Sequence, residues 1–382
     1  MFARVVRGGA HVDAILSPGP PDVRRMLQPI GPVAVFSASN FPFAFSVAGG
    51  DTASALAAGC GVVVKAHEAH PRTSEAVAAL LASVGAPVAL VHGFEAGRAL
   101  VEHPLIRAVG FTGSLRGGRA LFDLAAGRAD PIPFYGELGS VNPVVVLPGA
   151  AAERPAEIAD GYAASLTLGT GQFCTNPGLL FVPEDSALLD EISRAVATTS
   201  GGPMLSAKIR DAYLGADSPL PVLAEGTAAA GAWSVRPRVS TVAAKDFTPD
   251  LAEETFGPAG LVVTYRDTDE LVAVLSAVPG SLTGSVHAAP ANPAAAVADV
   301  LRTRVGRLVF NGWPTGVAVN WAMHHGGPWP ATTAPAHTSV GATAIRRWLV
   351  PVAYQDWPDA LLPPELQDAN PLDIPRLTEP PL

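Results

Sequence analysis

Gly31-Pro32-Val33-Ala34-Val35-Phe36-Ser37-Ala38-Ser39-Asn40 is a short apolar run closed by small polar residues. Such a run reads as a buried strand ending in a polar turn. Small residues at helical spacing from Ala48 to Ala58 predict a tightly packed helix, with Gly59 placed to cap its C-terminus. Gly61 to Lys65 is a second buried strand. Thr73 to Val84 predicts a helix capped by Thr73 or Ser74, with Glu75 in its first turn. The alternation continues with a strand at Val88 to His92, a helix at Gly93 to Glu102, a strand at Ala108 to Thr112 and a helix at Leu115 to Ala126. Strands and helices alternating through short connections predict an α/β fold with a parallel, doubly wound sheet. Ligands of such sheets bind at the carboxyl ends of the strands. Asn40, Lys65 and the Thr112-Gly113-Ser114 turn all fall at such ends.

A boundary is expected at Pro148 to Glu153, where Pro and Ala replace the strand pattern. Beyond it come a helix from about Glu157 to Leu168, the segment Gly169 to Gly178, and strands at Leu179 to Val182, Val262 to Tyr265 and Arg307 to Phe310. Residues 358–382 are rich in Pro with little periodicity, and read as a surface-hugging tail.

The chain has 382 residues, enough for two or three domains, and its 48% hydrophobic content excludes wholesale disorder. A net charge of −9 argues against nucleic acid or an anionic membrane surface as partner. Only Cys60 and Cys174 are cysteines, which fits a reducing, cytoplasmic setting rather than a bridged secreted scaffold. The N-terminus lacks the apolar core of a signal peptide, and no apolar run approaches the ~20 residues that span a bilayer. With no cysteine pair and no HxxxH, no metal site is expected. His324 and His325 are adjacent, and in a strand they would face opposite ways.

Cys174 lies in Gly169-Thr170-Gly171-Gln172-Phe173-Cys174-Thr175-Asn176, where two glycines let the backbone bend and leave room around the sulfur. It reads either as a nucleophile or as a small buried thiol. Cys60, beside a buried strand, fits the second description better. Glu137, between Gly136 and Leu138-Gly139, is either a turn carboxylate or a general base held in a closed site. Asn40 can close an Asx turn or donate to an oxyanion. Phe111-Thr112-Gly113-Ser114 can set a helix N-terminus against a phosphate, although no GxGxxG fingerprint is present. Glu253-Glu254-Thr255-Phe256-Gly257-Pro258 joins two acids to an aromatic ring and a tight turn.

Taken in order, Ser39 to Pro42, Val64-Lys65, Phe111 to Ser114, Glu137 to Gly139, Gly171 to Cys174 and Glu253 to Pro258 resemble the successive motifs of the aldehyde dehydrogenase superfamily. The resemblance runs from about Gly31 to Tyr354. Tyr135 to Pro143, Phe173 to Gly178, Phe310-Asn311-Gly312 and His325-Gly326-Gly327-Pro328 look like its 2-oxoglutarate semialdehyde (2,5-dioxopentanoate) dehydrogenase branch. The resemblance implies a Rossmann-type cofactor domain plus an α/β catalytic domain. It implies a thiolate of Cys174 with a pKa lowered by its site, attack on an aldehyde, and oxyanion contacts from Asn40. Glu137 would activate water. Lys65, Ser114, Glu254 and Phe256 would hold NAD or NADP, and acidic Glu68 beside the adenosine ribose favours NAD. A carboxylate-bearing substrate calls for a basic group at the pocket mouth, with Arg116, Arg346 and Arg347 as candidates.

Residues 1–30 are expected as a partial oligomerisation segment, 31–147 as the dinucleotide-binding domain, 148–340 as the catalytic domain and 341–382 as a C-terminal strand and tail. Ala344 to Val352 would supply an edge strand for a homo-oligomer. Relative to the family, the chain is expected to lack an N-terminal, largely helical block. Asn320-Trp321 is unusual for the branch and points to an altered substrate pocket. The alternatives are a dehydrogenase for other aldehydes, or a non-catalytic fragment that binds nucleotide or a full-length relative.

Overall fold

Val88–Val91, Val62–Lys65, Val33–Phe36, Ala108–Thr112 and Phe134–Glu137 stand in that order in one sheet, all parallel, in the computed structural model. Residues 1–216, 219–290 and 294–379 are described. Chain order and spatial order reverse between Val33–Phe36 and Ala108–Thr112. The strand leading to Asn40 and the strand leading to Ser114 therefore flank the crevice at a topological switch point. The valines of Val33–Phe36 read as an unbroken apolar run because both faces of the strand are buried.

The helices fall close to expectation. Leu115–Ala126 has Ser114 as its N-cap, the hydroxyl accepting from Gly117 N. The helix expected from Thr73 begins earlier, at Pro71, and His70 is its cap. Proline suits the first helical position, where its fixed φ is helical and its missing N–H costs nothing. Ser74 is instead buried one turn in and donates to the His70 carbonyl.

A second sheet of seven strands is ordered Val222–Glu225, Arg238–Ala243, Ala259–Tyr265, Leu179–Pro183, Val144–Val146, Ser281–His287 and Val305–Phe310. Phe181, Val145 and Val263 point to one apolar layer, and Leu180, Val144 and Val262 to the other. Because Val144–Val146 belongs here, the two sheets part between Glu137 and Val144, ahead of the expected boundary. The Pro and Ala residues that suggested the boundary form a helix, Pro148–Glu153, inside the second unit.

A third sheet joins Leu349–Gln355, Val23–Pro29, Ala14–Ser17 and Arg376–Thr378 in that order. Segments at opposite ends of the chain thus share one sheet. The Pro-rich tail does more than hug the surface: Leu362 and Leu366 bury against Leu16, and Arg376–Thr378 runs parallel to Ala14–Ser17. Ala344 to Trp348, expected within a strand, belong to the 3-10 turn Ala342–Trp348, and only Leu349–Gln355 is extended. Trp348 is fully buried against Val33 and Val35, and donates its indole N–H to Ser54 Oγ. That packing on the first sheet sets the backbone of the preceding residues. Among the described residues, no helix is long and apolar enough to cross a membrane.

Candidate active site

The helix Pro155–Thr167 stops where the backbone enters the left-handed region at Gly169 (φ 56°), Thr170 (φ 58°) and Gly171 (φ 67°). Gly171 has a second constraint, since a Cβ there would lie 2.3 Å from the Gly257 carbonyl. This turn carries Phe173 and Cys174 over the carboxyl end of the first sheet. The Asn142 amide donates to the carbonyls of Cys174 (2.9 Å) and Asn176 (2.8 Å), fixing the loop from below. Asn40 Nδ2 donates to the Gln172 carbonyl at 3.0 Å. Asn40 therefore reaches the cysteine loop, with one of its N–H groups engaged by backbone.

Glu137 ends the strand Phe134–Glu137, and its carboxylate is buried. Oε1 lies 3.0 Å from His325 Nε2, and Oε2 accepts from Ser339 Oγ at 2.6 Å. His325 and Ser339 belong to a return loop closed by Ser339 N donating to the His325 carbonyl. The loop docks on the open edge of the first sheet, where Leu138 N donates to the Ala331 carbonyl. Cys174 Sγ is 3.6 Å from the same His325 nitrogen. Sulfur, imidazole and carboxylate donors lie within 4.8 Å of one another.

His324 takes no part in this cluster, as expected from its adjacency to His325, whereas His325 joins a cysteine and a glutamate from other segments. Ligand spacing along the chain cannot register such a group. The Cys174 thiol pKa is raised, not lowered as expected. Burial pushes it up, and the Glu137 charge, their mutual hydrogen bond and the Glu254 charge push it further. For Glu137, burial pushes upward too, but attraction to His325 and hydrogen bonds from His325, Ser339 and Cys174 outweigh it. The carboxyl sits below its ordinary value. The two shifts run in opposite directions, favouring the protonated thiol and the ionised carboxyl, and the two side chains are hydrogen-bonded to each other.

Two cavities meet at Phe173. One, of about 370 Å³, is lined by Cys174, His325 and Ser339 together with Phe41, Phe45 and Val340. The other, of about 280 Å³, is lined by Glu254, Phe256, Ser140 and Asn176. Glu254 packs so close to Gly139 that a Cβ there would meet its Oε2 at 2.9 Å. Surrounding protein and the Glu137 charge raise the Glu254 carboxyl pKa, an effect tempered by the water its exposed side chain still meets. Lys65 is buried at the end of its strand and pairs with exposed Glu68. Ser114 is exposed at the N-terminus of the next helix. Lys65, Glu68 and Ser114 therefore lie along the first sheet's carboxyl edge, and Glu254 and Phe256 in the second cavity.

None of the three expected arginines lines the Cys174 cavity. Arg347 is buried in an ion pair with Asp51 at 2.7 Å, while Arg116 and Arg346 are exposed elsewhere. Arg307 comes closer. Its guanidinium donates to the Pro314 and Gly316 carbonyls and the Thr283 hydroxyl, and Gly316 lines the cavity. A basic residue inside a strand gives no signal of this from sequence alone. Ser339 and the supporting role of Asn142 were likewise not legible.

A doubly wound sheet with a switch-point crevice, joined to a second sheet that holds a cysteine beside a buried glutamate, defines an aldehyde-oxidising oxidoreductase. Residues 20–328 match the aldehyde dehydrogenase family, and the chain belongs to that family. It is 49% identical to alpha-ketoglutaric semialdehyde dehydrogenase 2 of Azospirillum brasilense, over 99% of this chain and 78% of that protein. Identity to the alpha-ketoglutaric semialdehyde dehydrogenase of Acinetobacter baylyi is 42%, over 99% and 77%. Among solved structures, a Thermus 1-pyrroline-5-carboxylate dehydrogenase with bound NAD superposes with a TM-score of 0.78 at 25% identity, over 93% of this chain and 72% of that one. The longer proline utilization A of Bradyrhizobium japonicum gives 0.80 at 27% identity, and the chain spans 38% of its length. The family uses NAD or NADP.

Proposed function

We propose that this chain oxidises 2-oxoglutarate semialdehyde (2,5-dioxopentanoate) to 2-oxoglutarate through a thioester on Cys174. The observation that carries the chemistry is the Cys174 sulfur set within 4.8 Å of the His325 imidazole and the buried Glu137 carboxylate, beside a cavity of about 370 Å³. Glu137 takes the thiol proton as sulfur attacks the aldehyde carbon. The second Asn40 N–H and the Cys174 backbone N–H stabilise the oxyanion. A bound nicotinamide dinucleotide supplies the hydride acceptor. Glu137 passes that proton to solvent, then takes one from water as the water oxygen attacks the thioester. The C–S bond breaks, the departing sulfur takes the proton back to give the thiol, and the product acid ionises to the carboxylate.

The residues present fit a dinucleotide. The crevice lies at a strand-order reversal, an exposed helix N-terminus at Ser114 faces it, and Lys65 stands at the adjoining strand end. Glu254 and Phe256 would hold its nicotinamide side. Glu68 beside Lys65 favours a ribose hydroxyl over a phosphate, and thus NAD over NADP. In this reading the five-stranded sheet forms the cofactor domain and the seven-stranded sheet the catalytic domain. The free edge of Leu349–Gln355 supports a homo-oligomer. Two free cysteines support a reducing, cytoplasmic setting.

The substrate rests on the named relatives and on Arg307, whose described partners are carbonyl and hydroxyl oxygens rather than carboxylates. A specific observation favours a second reading. Phe41, Phe45, Phe173, Val317, Val319 and Val340 give the Cys174 cavity an apolar lining suited to aliphatic or aromatic aldehydes. Reduced-nicotinamide absorbance with the semialdehyde, hexanal and phenylacetaldehyde decides between them. The semialdehyde should give the largest kcat/KM, and Arg307→Met should raise its KM about tenfold or more with little effect on hexanal. A preference for hexanal unaffected by Arg307 would replace the first reading with the second.

A further inference from the structure

We propose that Cys174, His325 and Glu137 form a binding site for zinc, and that the bound ion blocks the nucleophile. The three donors come from three separate segments and lie within 4.8 Å of one another. Zinc bonds run ~2.3 Å to sulfur and ~2.0–2.1 Å to imidazole nitrogen or carboxylate oxygen. At the 3.6 Å Sγ–Nε2 separation, those lengths open an angle of about 110° at the ion. At the 3.0 Å Nε2–Oε1 separation the angle is about 95°. Both suit a four-coordinate ion after small side-chain adjustments. One thiolate, one imidazole and one carboxylate make a donor set for zinc rather than for magnesium or calcium, which take oxygen ligands. The fourth position opens on the cavity lined by Cys174, His325 and Ser339.

The donors are held in advance. Asn142 fixes the Cys174 carbonyl, Ser339 Oγ holds the other carboxylate oxygen of Glu137, and Thr338 Oγ1 accepts from His325 N. Binding must displace the thiol proton to solvent and leave the Nε2 lone pair free, which moves the imidazole proton to Nδ1. That nitrogen is buried without a hydrogen-bond partner among the described residues. Metal-ligating histidines ordinarily donate from their second nitrogen, so this site lacks an outer support. The ion is therefore held reversibly, as an inhibitor that competes with aldehyde for the sulfur, not as a structural metal.

The site is tested on the whole chain after dialysis against a chelator. Cobalt(II) is titrated while absorption is followed for a thiolate-to-cobalt charge-transfer band, and zinc is titrated by calorimetry. One ion per chain should bind, zinc should abolish the cobalt band, and dehydrogenase activity should fall in parallel and return with chelator. Cys174→Ser should remove the band. His325→Phe and Glu137→Gln should each weaken zinc binding at least tenfold, while their Cys174 thiol still titrates with a thiol reagent, which shows an intact fold. Cobalt binding without the band, or zinc binding that survives Cys174→Ser or His325→Phe, would overturn the proposal. The binding measurements need no substrate, so an active but zinc-indifferent chain sinks this site alone and leaves the aldehyde chemistry standing.

Discussion

His325 Nε2 lies 3.0 Å from Glu137 Oε1, joining the end of the first sheet to a return loop 188 residues further along the chain. The contact, with the Ser339 hydroxyl on the other oxygen, holds Glu137 below its ordinary pKa against the upward push of burial. Replacing His325 with Phe removes a stabilising partner of the carboxylate, so the Glu137 pKa should rise. Turnover that needs the ionised form is then lost at a higher pH. The acid limb of the kcat profile should move toward neutrality, with Ser339→Ala moving it the same way by less. An unmoved limb in both variants would mean that Glu137 is not the base whose titration limits the rate.

The Glu137 charge is also one of the causes that hold the Cys174 thiol neutral. Glu137→Gln should therefore lower the thiol pKa while removing the base. Alkylation of Cys174 by iodoacetamide near pH 7.5 should quicken, while aldehyde turnover falls by ~10²–10⁴-fold. Cys174→Ala should abolish both. If alkylation and turnover slow together in Glu137→Gln, the carboxylate activates the thiol more than its charge suppresses it.

Glu68 is exposed but pairs with the buried Lys65 at the strand end. A 2′-phosphate would bring negative charge against that carboxylate. NAD should be preferred, and Glu68→Gln should narrow the NAD to NADP ratio of kcat/KM by about tenfold at low ionic strength, less in high salt because the site is screened. Steady-state kinetics with both cofactors reads this directly. A ratio that stays fixed would move the selectivity elsewhere, His67 being the neighbouring candidate.

Arg347 and Asp51 form a buried ion pair between the turn Ala342–Trp348 and the helix Gly50–Ala57. Asp51→Ala leaves a buried guanidinium uncompensated and should cost about 3–5 kcal/mol in urea-induced unfolding. The double substitution Asp51→Leu, Arg347→Met should recover much of that loss, since neither charge then remains buried. Aldehyde selectivity should be unchanged in the double variant, because Arg347 is spent on the core. A change in selectivity would return Arg347 to the substrate pocket.

The sequence by itself determined four of the five strands of the first sheet and the family; Phe134–Glu137, read as a turn, is the fifth. Buried parallel strands such as Val33–Phe36 are legible because burial on both faces requires a continuous apolar run. The cysteine loop is legible because a sharp left-handed turn selects Gly169 and Gly171. The division between the sheets was misread for the same reason that the strands were read. Val144–Val146 is as apolar as any strand of the first sheet, and nothing local says which sheet will take it.

The tertiary structure decided what those residues do to one another. His325 meets Glu137 and Cys174 only because the return loop docks on the open edge of the first sheet. Burial of the sulfur, and after it the Glu137 charge, reverses the expected direction of the thiol's pKa. Arg347, a plausible substrate anchor as a letter, is neutralised by Asp51 in the core, while Arg307 inside a strand reaches the cavity wall. Apolar periodicity is a local property, set by the one face or both faces that an element buries, so the sequence carries it. Charge pairing, thiol ionisation and donor geometry depend on groups more than 100 residues apart coming within a few ångströms, and only the folded chain fixes those distances.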